Sequence, residues 1–308
     1  MLPQAHHWII FALVVLIALV VDLVVFHRKA QKISLSGALL ESAGWIGLAL
    51  CFNLWVYHVL GPRAGLEFLT GYLVEKSLSV DNIFVFILIF QAFHVPERSH
   101  HKVLYYGVVG ALVLRAIFVF AGVELLQLAH ALEYVFGGFL LFTGIRMILP
   151  GGRVIHPEQN WLVRISGRFI PVLTDYDGET FLVQRGHRWH ATPLFLALVA
   201  VEAMDIIFAV DSVPAVLAIT RDSFIVYSSN AFAILGLRAL YFALADVLPR
   251  FRFLHQGLAL IIIFVGGKMI TGGWKPISTE VSLGIIALML LVTVLASLAF
   301  PQHKKSSA

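Results

Sequence analysis

Two kinds of residue that resist each other share the same stretches of this chain. Apolar runs recur from end to end at about 20 residues, the length at which a helix crosses a hydrocarbon core. Yet "EKSLSVDNIFVFILIF", Glu75 to Phe90, puts Glu75, Lys76, Asp81 and Asn82 at the head of such a run. An acid at the bilayer midplane costs about 2.5–3.5 kcal/mol on insertion scales. A chain that keeps acids there has to fold around partners for them.

The 308 residues are 59% hydrophobic and 13% charged, with a mean hydropathy of +0.89. A soluble domain of that size would need more charge on its surface. The sequence therefore predicts an all-α polytopic membrane protein of about nine transmembrane helices, near 7–27, 38–60, 68–93, 103–123, 131–149, 193–219, 224–246, 257–273 and 280–300. The single cysteine, Cys51, allows no internal disulfide and no dithiol chemistry. A sequence pI of 9.2 does not point to nucleic acid, because the basic residues form no cluster but sit between the apolar runs.

Their placement predicts orientation. The first run, "WIIFALVVLIALVVDLVVF", has only histidines as basic residues before it, and Arg28, Lys29 and Lys32 after it. It reads as a retained first span with its N-terminus outside. Cytoplasmic segments then hold those three with Arg98, Lys102, Arg153, Arg164, Arg168, Arg185, Arg188, Arg250, Arg252, Lys304 and Lys305. External loops hold Arg63, Arg221 and Lys275, so the balance is 14 against 3. That is the positive-inside pattern, and it places the C-terminus in the cytoplasm.

The chain also repeats itself. "EKSLSVDN" (75–82) lies over "DIIFAVDS" (205–212), "ALVLRAIF" (111–118) over "ILGLRALY" (234–241), and "LFTGIRMI" (141–148) over "IFVGGKMI" (263–270). Each unit holds three spans, an odd number, so the second enters from the opposite side. The expectation is a 3+3 inverted-topology repeat, an architecture that places substrate sites near the midplane. The resulting division is 1–66 (two N-terminal helices), 67–149 (first repeat), 150–192 (cytoplasmic insertion), 193–273 (second repeat) and 274–308 (last helix and basic tail). Within the insertion, "NWLVRISGRFIPV" fits an amphipathic surface helix and "TFLVQRGHRWHAT" a short hairpin around Arg185-Gly186. "DYDGE" (175–179) lacks the further ligands of a calcium loop and reads as a turn.

The candidate site is acidic. Glu75, Asp81 and Asn82 lie in the third span, and Glu202, Asp205, Asp211 and Ser212 in the sixth. On a helix Glu75, Ser79 and Asn82 share one face, as do Asp205 and Ser212, with Glu202 one turn earlier. Asp81 and Asp211 fall off those stripes. Pro214 removes the donor to the Val210 carbonyl, and loosening over Val210–Pro214 would turn Asp211 inward. Carboxylate, amide, hydroxyl and carbonyl oxygens suit Mg²⁺, Ca²⁺ or Mn²⁺ better than Zn²⁺ or Cu⁺. The competing reading is that these acids only pair with Lys76, Arg115 and Arg238, and pairing is the favoured role for both arginines. His94, His100 and His101 either gather metal at a cytoplasmic mouth or are solvated. Glu41 and Asn53 either face the site or bond a neighbouring helix.

"EKSLSVDN", "VEAMDIIFAVDSVPAVLAIT" and "NAFAILGLRALYF" resemble the signature segments of the TerC family of integral membrane proteins, closest to its Alx-type bacterial members. The resemblance extends over nearly the whole chain. It implies a bacterial cytoplasmic membrane protein concerned with metal homeostasis, chiefly Mn²⁺ export, and with tellurite and alkaline stress. It also makes Glu75, Asp81, Glu202, Asp205 and Asp211 the counterparts of the family's intramembrane acids. The family's other label, membrane redox modulator, finds no cysteine pair or nucleotide fingerprint in these residues.

The expectation is therefore a secondary transporter and not an enzyme. It carries no permanent cofactor, its partners are a divalent ion and the bilayer, and its drive is a gradient, since no nucleotide-binding loop is present. An accessory protein with a structural metal is the alternative. Export of an organic substrate would ask for an apolar pocket in place of an acidic one. Transport direction, coupling ion and oligomeric state stay open at the level of sequence.

Overall fold

A computed structural model describes residues 5–26, 35–128, 131–149, 171–173, 178–185, 188–245, 253–272, 274 and 277–299, with the side chains at 25–26, 81, 84, 127–128, 131–133 and 211 outside that set. Among the described residues ten α-helices lie in the nine predicted segments. They are α1 (Ala5–Val21, continued by a π turn over Asp22–Phe26), α2 (Leu35–Leu60), α3 (Pro62–Ala92), α4 (Glu97–Leu128) and α5 (Ala131–Ile148), then α6 (Pro193–Leu217), α7 (Ser223–Leu235), α8 (Leu237–Leu244), α9 (Leu254–Thr271) and α10 (Thr279–Ala299).

Local chemistry sets several boundaries. Gly61, at φ 103°, turns the chain between α2 and α3 where a side chain would be strained, and Pro62 opens α3. The Thr192 side chain caps α6 by accepting from the Phe195 N–H, and Asp222 caps α7 through the Phe224 and Ile225 N–H groups.

Among the described residues six helices are long and apolar enough to cross a membrane: α1, α2, α4, α6, α9 and α10. The α7–α8 pair, bent by 41° at Gly236, would make a seventh. The charges of α3 keep it outside that class, and the fully described part of α5, Tyr134–Ile148, is a shorter apolar helix. Leu13, Ile17, Ile117, Phe142, Leu291 and Leu295 are each more than half exposed, as an outer surface solvated by lipid allows.

The core is built by exchange between the two halves of the chain. α3 packs on α7, α4 on α6, α3 on α6, and α5 lies along α9. The α5–α9 contact is backbone-close. A Cβ on Gly144 would lie 2.9 Å from the Ala259 carbonyl oxygen, and one on Gly266 would lie 2.9 Å from that of Gly137.

The hairpin forms as read from sequence, with β1 (Leu182–Arg185) antiparallel to β2 (Arg188–Ala191). It is pinned to the start of α4 by Lys102, which donates to the Glu179 carbonyl at 2.7 Å and lies over the Phe181 ring. Most of the predicted surface helix (160–172) and most of "DYDGE" lie outside the described residues.

The expected loosening at Val210–Pro214 does not interrupt α6, which stays helical to Leu217. Pro214 is close enough to the helix end that one missing donor is tolerated. The bend falls instead at Gly236, whose counterpart in the sequence alignment of 234–241 with 111–118, Val113, lies inside the unbroken α4.

Gly144→Val and Gly266→Val are expected to destabilise the detergent-solubilised protein by about 1–3 kcal/mol through overpacking. Gly138→Val and Gly267→Val, whose added atoms meet nothing within 4 Å, should melt near the parent. Thermal unfolding of the four proteins checks the ranking.

Candidate functional site

Arg115, beyond the midpoint of α4 and 1% exposed, gathers the site. Its Nη1 donates to Glu75 Oε1 of α3, to Ser212 Oγ of α6 at 2.9 Å and to Asn230 Oδ1 of α7 at 2.8 Å. Its Nη2 donates to Asp205 Oδ1 of α6 at 3.3 Å. Glu75, Asp205, Ser212 and Asn230 are all buried. The shared face of Asp205 and Ser212 is thus real, since both meet one guanidinium. Four oxygens from three helices converge on a group carried by a fourth.

The bonding is incomplete on both sides. Glu75 Oε2, Asp205 Oδ2, Ser79 Oγ and Arg115 Nε are buried without a hydrogen-bond partner. A cavity of about 10 Å³, room for about one water, lies beside the cluster and is lined by Asp205, Asn82, Gly107 and Ala111 among others. Glu202 sits apart from the arginine. Its carboxylate occupies the space left by Gly110 of α4, where a Cβ would come within 2.1 Å of Oε1. Its Oε2 is also unpartnered.

Among the described residues no three His, Cys, Asp or Glu side chains are disposed to hold a metal together. Of the three site carboxyls described, Glu75 and Asp205 meet on Arg115 and Glu202 stands apart, and the side chains of Asp81 and Asp211 lie outside the described set.

The other polar residues are distributed differently from the sequence expectation. Arg238 Nη2 donates to Asp22 Oδ1 at 2.7 Å and Glu41 Oε1 at 2.6 Å, tying α8 to α1 and α2. Pairing with acids is therefore what both arginines do. Among the described residues Lys76 pairs with no acid. It donates to the Ala233 carbonyl at 3.1 Å, just before the bend.

Of the loop histidines His94 is exposed, as the solvated reading expects, while His100 and His101 are half-buried. His100 stacks on Phe90 and bonds the Val95 carbonyl and the Tyr241 hydroxyl, and His101 stacks on Phe242. Their apolar ring faces find aromatic partners at the base of α4.

Sequence reading passed over Asn230 and Asp22. The run Ser228-Ser229-Asn230 inside an apolar segment was the available signal for the first, and a lone acid within the first apolar run for the second.

At the ends of α6 and α9 and the start of α3, a larger polar cavity of about 350 Å³ is lined by Arg63, Glu67, Thr220, Arg221 and Lys268. Arg63 and Glu67 pair across one turn at 2.9 Å.

The family sequence model described as "Integral membrane protein TerC family" matches residues 60–305. An uncharacterized membrane protein of Myxococcus xanthus is 47% identical over 300 residues, covering 97% of this chain and 94% of the relative. A Salmonella typhi protein named "Putative membrane-bound redox modulator Alx" is 44% identical, covering 93% and 92%. A Rickettsia bellii membrane protein is 37% identical over 94% and 96%. No solved structure matches the chain.

Arg238→Gln should cost about 3–5 kcal/mol, because it leaves two buried carboxyls without their partner. Asp22→Asn should cost less, since Glu41 still holds the guanidinium. Unfolding in mixed micelles, followed by circular dichroism, measures both.

Proposed function

The chain belongs to the TerC family of integral membrane proteins, and we propose that it is a secondary transporter exporting a divalent cation, Mn²⁺ foremost, across the bacterial cytoplasmic membrane. The observation that carries this reading is the buried oxygen cluster. Two carboxylates, an amide and a hydroxyl are brought together far from water, with two carboxylate oxygens left without partners. Those are ligand types that hard cations take. Burying them is expensive unless a positive charge is there to meet them. Asp81, Asp211, Glu202 and Asn82 are proposed to extend the path along α3 and α6. The consequences would be metal homeostasis and resistance to tellurite or other stress.

The transporter architecture we propose is nine spans with a 3+3 inverted repeat. Its support is reciprocal packing. Exchange of the repeats turns the α3–α7 contact into α4–α6, and both are made. In the aligned repeats Gly144 corresponds to Gly266 and Gly137 to Ala259. The close pair Gly137–Gly266 thus maps onto the close pair Ala259–Gly144.

The orientation proposed is N-terminus outside and C-terminus inside. Under it, the beginning of α3 and the ends of α6 and α9 share the external face. That is consistent with their lining one polar cavity, which becomes the outer mouth.

The second reading is an accessory membrane protein in which the Arg115 cluster is purely structural. What favours it is that Arg115 already meets Glu75 and Asp205.

Reconstitution separates the two. In proteoliposomes loaded with a panel of divalent cations, the parent should show Mn²⁺ flux. Asp205→Asn and Asp211→Asn should each lose nearly all of it while reaching the membrane in parental amounts. An amide keeps the size of the acid but not the charge that draws a divalent ion from water, and it is no harder to insert. Absence of flux for every cation would leave the accessory reading standing.

A further inference from the structure

The arginine at the centre of the site is bound in an unusual manner for a structural ion pair. A guanidinium that only neutralises a carboxylate commonly offers it two parallel N–H groups. Arg115 does not. One nitrogen, Nη1, faces three acceptors on three elements, Glu75 Oε1, Ser212 Oγ and Asn230 Oδ1, though it carries two hydrogens. Nε meanwhile has no partner. The nitrogen is surrounded by oxygens as a metal ion would be, while Nη2 reaches a single carboxylate oxygen, Asp205 Oδ1, at the longer distance of 3.3 Å.

The charges also mismatch. Two carboxyls meet one guanidinium, and the nearby lysine, Lys76, bonds the Ala233 carbonyl instead.

We propose that Arg115 is a tethered substitute for the transported ion: the guanidinium and a divalent cation occupy the Glu75–Asp205–Ser212–Asn230 oxygens in turn, each excluding the other. This rests on the transport reading above and adds to it a reason for the arginine. A divalent ion balances both carboxylates and uses Glu75 Oε2 and Asp205 Oδ2, which the guanidinium leaves unbonded. When the ion departs, the arginine returns and the acids are never left uncompensated in a low-dielectric interior, which would be costly. The carrier can then reset without a second ion. The small cavity beside Asp205 and Asn82 adjoins the carboxylate between α3, α4 and α6, where the entering ion would first meet it. Competition of this kind lowers metal affinity, and that aids release.

The test is equilibrium binding of radiolabelled Mn²⁺ to the purified full-length protein in lipid nanodiscs, paired with flux in proteoliposomes. Arg115→Gln should bind Mn²⁺ at least about tenfold more tightly than the parent, within the range of coupling between sites that exclude each other. It should be stabilised by Mn²⁺ against heat more than the parent is, and its flux should fall by about tenfold or more. Arg115→Lys, a compact cation that cannot span the four oxygens, should bind with intermediate affinity. It decides the matter if Arg115→Gln fails to fold. Parental or weaker affinity in the folded variants overturns the substitution and leaves transport standing. No Mn²⁺ binding by the parent or either variant overturns transport, and the substitution with it.

Discussion

A guanidinium keeps its proton at any pH a cell reaches, so an arginine buried in a membrane protein dictates what surrounds it. Arg115 is such a group. Its position on α4 requires oxygens from α3, α6 and α7 at one point. That point fixes the rotation of each helix about its own axis. Once Glu75 and Asp205 face inward, the alternate faces of α3 and α6 are committed to apolar contacts with neighbouring helices. Arg238 does the same for the periphery, since Asp22 and Glu41 orient α1 and α2 against α8. Two arginines thus set the rotation of most of the bundle, where hydrophobicity cannot because lipid is as apolar as leucine.

Small residues supply what charge does not. Along α5 and α9 no ion pair is described, and the helices approach until glycines meet carbonyl oxygens. On α4, Gly110 opens the space in which the Glu202 carboxylate sits, and Gly107 lines the cavity next to Asp205. The glycines of α4 therefore belong to the acidic region as much as the acids do. They let a second carboxylate stand one turn from the first on α6 without forcing α4 away.

Much of this was legible in the sequence, and the part that was not has a physical reason. Helix positions follow from apolar length, and the shared face of Asp205 and Ser212 from the helical period. Which acid meets which base does not follow, because pairing depends on rotation and depth, and neither leaves a periodic trace. Lys76 was grouped with the bases that neutralise acids, though it points to a backbone carbonyl. Asn230 was passed over because an amide in a polar triplet resembles interhelical glue until its partner is known. The histidines near α4 were judged by loop location, while their aromatic neighbours decide their burial. Loosening was expected over Val210–Pro214, yet α6 stays helical to Leu217 and the bend falls at Gly236, a glycine packed against Trp45.

That bend sets the charge of the site. Gly236 admits the Trp45 side chain, and a Cβ there would also press on Lys76 Nζ, at 3.2 Å. Ala233 lies three residues before the bend, and its carbonyl takes the Lys76 ammonium at 3.1 Å. Lys76 follows Glu75 directly, yet about 100° of helical rotation per residue aims the two at different neighbours. Had α7 continued straight into α8, as α4 does through Val113, the Ala233 carbonyl would lie under the next turn. With the bend, the ammonium is retained elsewhere, and the described cluster keeps two carboxyls for one guanidinium. With α4 straight and the α7–α8 pair bent, two carboxyls stand against the single charge that Arg115 supplies.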